Sequence, residues 1–203
     1  MMDFQEKEVK FYLHDLEAMA ARLEATGADL VRPRVLERNL RLDTPDGALT
    51  AEHRVLRLRQ DDQVRVTYKD NTHTEGGVLV RTEIEFSTDS LEVVRKFFEA
   101  LGYQVVVLYE KYRRVFHLGD VEVVLDEMPF GNFMEIEAPN TTLIEGVAQM
   151  LGLNWDRRGN ASYLGLFDIL KQHKDIDFRD LSFANFASLE ISPADLEVEP
   201  ADI

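Results

Sequence analysis

The sequence predicts an α+β domain in which eight antiparallel strands share one sheet and helices pack outside it. Nearly every strand-like segment places charges two residues apart, beginning with Glu6, Glu8 and Lys10, and strand periodicity puts such residues on one face. The opposite face is apolar: Leu56 and Leu58, Val64, Val66 and Tyr68, Val80, Ile84 and Phe86, Met134 and Ile136. Short connections such as Asp61-Asp62 and Gly119-Asp120 make antiparallel pairing of consecutive strands the natural arrangement.

Residues 4–13 alternate as a strand, with Lys7, Val9, Phe11 and Leu13 opposite the glutamates. Asp15 is placed to cap a helix over about 15–26, whose Leu16, Met19, Ala20 and Leu23 share a side and which Gly27 ends. Residues 28–43 read as a long extended segment, bent near Pro33 and closed by a Thr44-Pro45-Asp46-Gly47 turn. Strands over 53–60, 63–70 and 78–86 follow, the last two separated by a polar loop from Asn71 to Gly77. Asp89 and Ser90 offer N-caps for a helix over 90–101 that buries Leu91, Val94, Phe97, Phe98 and Leu101. A long strand over 104–118 and shorter ones over 121–127 and 132–138 complete the eight, and helices over 141–151 and 161–172 come next.

Residues 1–174 are expected to form the body and 175–203 a carboxy-terminal extension. The first half of that extension keeps apolar residues (Ile176, Phe178, Leu181, Phe183, Phe186) and is expected to pack on the body. Its end, Glu190 to Ile203, has five carboxylates, two prolines and no basic residue, a composition that predicts disorder.

A formal charge of −15 over 203 residues argues against general nucleic-acid binding, which needs a basic surface to displace counterions. There is no cysteine, and His14, His53, His73, His117 and His173 show no ligand spacing, so zinc is not expected. The amino terminus lacks the basic and apolar regions of a signal peptide, and no apolar run approaches the ~18 residues of a membrane helix. A cytoplasmic protein without a membrane partner is expected.

The charged face could be the solvated side of the sheet. Its composition favours a site. One side collects the cations Lys10, Arg57, Arg59, Arg65, Lys69, Arg81, Lys111 and Arg113 with the carboxylates Glu6, Glu8, Glu83, Glu85, Asp126, Glu135 and Glu137. Arginine dominates among the cations, and its planar fork suits phosphate oxygens. If the strands curl toward closure, mid-chain cations would face carboxylates from the two chain ends across a polar lumen. Carboxylate oxygens without histidine or cysteine point to Mg²⁺ or Mn²⁺. Lys7, Glu110, Tyr112 and Arg114 fall on the other face. Trp155 is expected to anchor the core, and Tyr163 either packs or covers the lumen.

Glu6-x-Glu8-x-Lys10 resembles the ExExK signature of the CYTH superfamily, the triphosphate tunnel metalloenzymes. The ordered series behind it makes the likeness specific: Arg57-x-Arg59, Lys69, Arg81-x-Glu83-x-Glu85, Lys111-x-Arg113, Asp126, Glu135-x-Glu137 and Ser162-Tyr163. The resemblance covers about residues 3–172 and implies an eight-stranded antiparallel closed β-barrel, a triphosphate tunnel with helices outside. It implies that Lys10, Arg57, Arg59, Lys69, Arg81, Lys111 and Arg113 bind a nucleoside triphosphate or polyphosphate. Glu6, Glu8, Asp126, Glu135 and Glu137 would hold Mg²⁺ or Mn²⁺, with Arg65, Glu83 and Glu85 in support. Glu6, Glu8, Lys10, Lys111 and Arg113 are the expected catalytic residues.

The helix directly after the first strand, and Gly119-Asp120-Val121-Glu122-Val123 leading to Leu125-Asp126-Glu127, look more like the class IV adenylate cyclase branch than like short tripolyphosphatases. Cyclization of ATP, hydrolysis of tripolyphosphate or thiamine triphosphate, and binding without turnover remain open at this point. Assembly as a homodimer is a further expectation. Asn160 stands before Ser162 where some relatives carry a basic residue.

Overall fold

A computed structural model describes residues 5–203. The first strand's expected start at Phe4 lies outside them.

Eight strands form a closed ring: β1 (Gln5–Leu13), β2 (Asp29–Asp43), β3 (Val55–Gln60), β4 (Val64–Glu75), β5 (Val78–Thr88), β6 (Gln104–Leu118), β7 (Val121–Met128) and β8 (Gly131–Glu137). Their order is β5-β4-β3-β2-β6-β7-β8-β1, and β1 pairs again with β5 over Gln5–Glu8, so the expected closure holds. Every strand pairing is antiparallel, and the strands do not stand evenly round one axis. A two-residue strand, β9 (Arg158–Gly159), lies against Lys10 and Phe11 of β1.

Strand alternation sends the apolar residues outward, and the helices bury them there. Helix α1 (Leu16–Ala25) starts at the expected cap, where Asp15 accepts from the amides of Glu17 and Ala18. Its Met19 and Leu23 join Val9, Phe11, Val123, Met134 and Ile136, together with Ile144 and Val147 of α4 (Thr141–Met150). A second cluster joins Leu56, Leu58, Val64 and Val66 to Leu49 of α2 (Ala48–Ala51) and Val94 of α3 (Leu91–Ala100). The third lies under α5 (Tyr163–His173), where Leu166, Phe167 and Leu170 meet Phe130 and Phe133.

Four details correct the sequence expectations. Strand β4 runs through to Glu75 instead of ending before a loop at Asn71, because a bulge between Asp70 and His73 absorbs the polar stretch. Gly76 and Gly77, both at positive φ, then make the turn. Helix α2 follows the Thr44–Gly47 turn unannounced; the Asp43 carboxylate accepts from the amides of Thr44, Leu49 and Thr50. On α3 and at its C-cap, Phe97 and Leu101 are each 60% exposed, because the helix meets the sheet through Leu91, Val94 and Phe98 instead.

The fourth correction concerns residues 190–203, which are ordered. Leu181 brackets β6, donating to the Leu108 carbonyl and accepting from the Glu110 amide. Phe186 of α6 (Phe183–Phe186) and Leu196 are buried in the third cluster. Farther on, the Ala201 amide donates to the Tyr12 carbonyl, and the Asp202 carboxylate accepts from the amides of His14 and Asp15. Six apolar residues after Lys174 join the third cluster's rim (Ile176, Phe178, Leu189, Ile191, Val198) or the first cluster (Ala201), enough to order an acidic segment.

Candidate active site

The inner face of the ring carries the charges. Across β1 and β8, Lys10 stands opposite Glu135 and Glu8 opposite Glu137. Across β6 and β7, Arg113 stands opposite Asp126, while Lys111 of β6 stands opposite Glu37 of β2. Arg57 and Arg59 of β3 stand opposite Arg41 and Asn39 of β2 and Thr67 and Arg65 of β4. Lys69 is opposite Glu83, and Arg81 is opposite Glu6. All eighteen named residues are buried or half-buried.

Two networks organise these groups. In the first, Lys69 donates to both Glu6 oxygens at 2.6 and 2.8 Å and lies 3.1 Å from Glu83; Arg81 donates to Glu6 at 2.6 Å and to Glu8 at 2.7 Å. In the second, Asp126 accepts from Lys111 at 2.9 Å, from Arg113 at 2.5 and 2.7 Å, and from the Tyr163 hydroxyl at 2.7 Å. Arg113 also reaches Glu135 at 2.8 Å, and Lys10 lies 2.9 Å from the other Glu135 oxygen. Tyr163 therefore covers the lumen, its ring 4.5 Å beneath the Lys10 ammonium and 5.3 Å from that of Lys111. Arg57 bridges the Tyr109 and Thr67 hydroxyls, and Thr67 donates to Glu85.

Burial and neighbouring charge set the protonation states. Burial raises the Glu135 and Asp126 pKa values, but Lys10, Arg113 and Lys111 around Glu135, and Arg113 and Lys111 around Asp126, outweigh it; both carboxyls stay below the usual range. Lys10 is held above the ordinary lysine value, because Glu135 and Glu8 overcome the cost of burying its charge. Burial, with Asp126 and Glu135, pushes the Tyr163 phenol well up, so it remains a donor. Glu137 goes the other way: burial and the charges of Glu6, Glu122 and Glu8 push it up to about 8 against the opposing pull of Lys69.

The predicted residues thus converge on one interior, with Glu85 exposed at its margin, and one expectation is corrected. Cations and carboxylates are not segregated onto facing walls. Closure of β5 onto β1 sets Arg81 beside Glu6 and Glu8, so opposite charges interleave. Lys7, Glu110 and Arg114 face outward, to Glu75, Arg38 and Glu17, and the Tyr112 ring lies under Arg34. Trp155 packs against the first core cluster beside Phe11. Glu37, Asn39 and Arg41 of β2, and Tyr109 of β6, are interior residues that the pattern of paired charges did not expose. Their alternation with Leu36, Leu40 and Leu42 was the available signal.

The donor chemistry fits a hard divalent cation. Glu8 and Glu137 face each other, Glu6 adjoins them, and Glu137 is raised by burial and by the negative charge of Glu6, Glu122 and Glu8. Among the described residues no three carboxylate or histidine groups already stand together as a ligand shell, because Glu6 and Glu8 turn to Lys69 and Arg81.

Comparison with known proteins agrees with this geometry. The sequence profile described as the CYTH domain matches residues 5–146. A candidate adenylate cyclase of Methanocaldococcus jannaschii is 26% identical over 134 residues, covering 65% of this chain and 75% of that protein. The solved structure of a candidate adenylate cyclase from Vibrio parahaemolyticus is similar with a TM-score of 0.70 at 20% identity, over 82% of this chain and 99% of that one. A Hippeastrum protein, described as a candidate adenylyl cyclase with a dominant triphosphatase activity, has a TM-score of 0.58 at 20% identity, over 80% of this chain and 95% of that one.

Proposed function

The chain belongs to the CYTH domain family, and from that premise we propose that it is a metal-dependent enzyme acting on triphosphates, a class IV adenylate cyclase that converts ATP to cyclic AMP and pyrophosphate. The observation that carries the triphosphate reading is the buried cation set on one closed inner face: Lys10, Arg57, Arg59, Lys69, Arg81, Lys111 and Arg113, with Arg65 at its margin, and the likeness to candidate adenylate cyclases favours cyclization. Seven cations held in a desolvated interior are matched to a polyanion, and few other small ligands offer that much negative charge.

Binding would exchange partners. Phosphate oxygens take the guanidinium and ammonium donors that Asp126, Glu135, Glu6 and Glu8 occupy, and the freed carboxylates become available to a cation. Glu6, Glu8 and Glu137 would hold Mg²⁺ or Mn²⁺, with Glu135 and Asp126 beside them and Glu83 and Glu85 orienting Lys69, Thr67 and Arg59. Such an ion supplies charge neutralisation and a template for in-line displacement. The protein's part is to align the chain of phosphates between β3, β6 and β1 so that the ribose 3′-oxygen approaches the α-phosphorus. The O3′–P bond forms as the bond to the pyrophosphate oxygen breaks, the 3′-hydroxyl proton passes to one of the lumen carboxylates freed by phosphate binding, and Lys111, Arg113 and Arg57 stabilise the charge developing on the departing pyrophosphate.

The same grip serves hydrolysis. The Hippeastrum protein's described triphosphatase activity supports a second reading, in which water attacks a terminal phosphorus, the bond to the bridging oxygen breaks, and orthophosphate is released together with the remaining diphosphate. Among the described residues no helix is long and apolar enough to cross a membrane. Incubation with Mg²⁺ or Mn²⁺ and, separately, ATP, thiamine triphosphate and tripolyphosphate, with products resolved by chromatography, tests the assignment. Cyclic AMP with stoichiometric pyrophosphate is expected from ATP. Orthophosphate from tripolyphosphate without cyclic AMP from ATP would replace the cyclase with the hydrolase.

A further inference from the structure

Glu37 differs from most carboxylates of the lumen. Glu6, Glu8, Asp126 and Glu135 are each gripped by direct hydrogen bonds from lysine or arginine. Glu37 is 0% exposed, yet neither of its carboxylate oxygens has a hydrogen-bond partner. Four cations stand round it at a distance: Lys111 Nζ and Arg59 Nη1 at 3.7 Å, Arg113 Nε at 3.9 Å and Arg32 Nη1 at 4.0 Å. Burial raises its pKa, but Arg113, Lys111 and Arg59 outweigh that, so it stays ionised.

A buried carboxylate with both oxygens unbonded is costly, and a glutamine of the same shape would avoid burying the charge. The place of Glu37 in β2 offers a use for that cost. Its charge acts at once on Arg59, Lys111 and Arg113, which belong to the proposed phosphate grip, without occupying any of their donors. Each cation therefore keeps its hydrogen-bonding capacity for an anion while the attraction of all three for it is reduced.

We infer that Glu37 is a positioning residue that acts as a fixed counter-charge, weakening the hold of Arg59, Lys111 and Arg113 on polyphosphate so that the anionic product leaves after turnover. This rests on the triphosphate reading of the lumen. A wall of uncompensated cations would bind substrate and pyrophosphate alike and slow release. The embedded carboxylate lowers both affinities and leaves the donor geometry unchanged.

The test is calorimetric titration of inorganic pyrophosphate and tripolyphosphate, in Mg²⁺ buffer, into the parent protein, Glu37→Gln and Glu37→Asp. Steady-state turnover of ATP or tripolyphosphate is measured alongside. Glu37→Gln should bind both anions about tenfold more tightly, with KM and kcat falling together as release becomes limiting. Glu37→Asp, which keeps the charge but draws it back toward β2, should tighten binding by about two- to threefold, and it carries the test if the glutamine variant does not fold. Unchanged or weaker anion binding in a folded variant, beside normal binding by the parent, would overturn the role of Glu37 and leave the triphosphate assignment standing. No binding of tripolyphosphate by the parent would overturn both.

Discussion

Glu8 and Glu137 are direct cross-strand partners on β1 and β8, two carboxylates facing each other on a buried surface. Like charges so placed oppose folding unless something neutralises one of them. Arg81 bonds Glu8, while Glu137 is left with a pKa of about 8. In chelator, the folded chain thus keeps a proton on Glu137 that the unfolded chain releases above the ordinary carboxylate pKa. The folded state binds more protons between about 4.5 and about 8, so stability falls as pH rises through that window. Between pH 5 and pH 8 the parent should lose about 2 kcal/mol, or about 4–8 °C in Tm, relative to Glu137→Gln. Adding Mn²⁺ at pH 8 should raise the Tm of the parent more than that of the variant. Parallel pH profiles for the two proteins would show that Glu137 is not the uncompensated group.

Tyr163 donates to Asp126 from beneath Lys10 and Lys111. Tyr163→Phe keeps the ring and loses the hydroxyl, which should cost about 1–2 kcal/mol of stability. Tripolyphosphate affinity should change less than threefold, since Lys111 and Arg113 still hold Asp126. Tyr163→Ala should cost about 3–5 kcal/mol and weaken binding about tenfold by releasing the floor under both ammonium groups. Melting and calorimetry on the two variants separate ring from hydroxyl.

Residues 175–203 hold α5 against the ring through Leu181 on β6 and Ala201 on β1. Leu196 is fully buried there, so Leu196→Ala should cost about 2–4 kcal/mol and lower Tm by about 5–10 °C. Limited proteolysis should leave residues 190–203 intact in the parent and cut them first in the variant. Early cleavage of that segment in the parent would contradict its packing.

Much of this was legible in the sequence, for a physical reason. A half-buried antiparallel strand must alternate, and residues two apart share a face, so Glu6-x-Glu8-x-Lys10 and Lys111-x-Arg113 declare both the strand and its inner side. Interior residues of mixed polarity were harder to see. Glu37, Asn39 and Arg41 alternate as regularly, but a carboxylate, an amide and a guanidinium in turn do not look like a set until β3 and β6 bring cations to them. The order of the terminal segment was hidden because composition reports average solubility, whereas Leu196 and Ala201 are buried singly in places that only the assembled ring creates. The interleaving of charge depended on β5 closing onto β1, a long-range contact that no local pattern encodes.

The triphosphate site is tested most directly by calorimetric titration of tripolyphosphate and of orthophosphate into the parent and into Arg57→Ala and Arg113→Ala, with Mg²⁺ present. Tripolyphosphate should bind the parent far more tightly than orthophosphate, and each substitution should remove about 1.5–3 kcal/mol, roughly ten- to a hundredfold, of tripolyphosphate affinity. Equal affinity for the two anions, or tripolyphosphate affinity that survives both substitutions, would contradict a triphosphate site on the inner face of the ring.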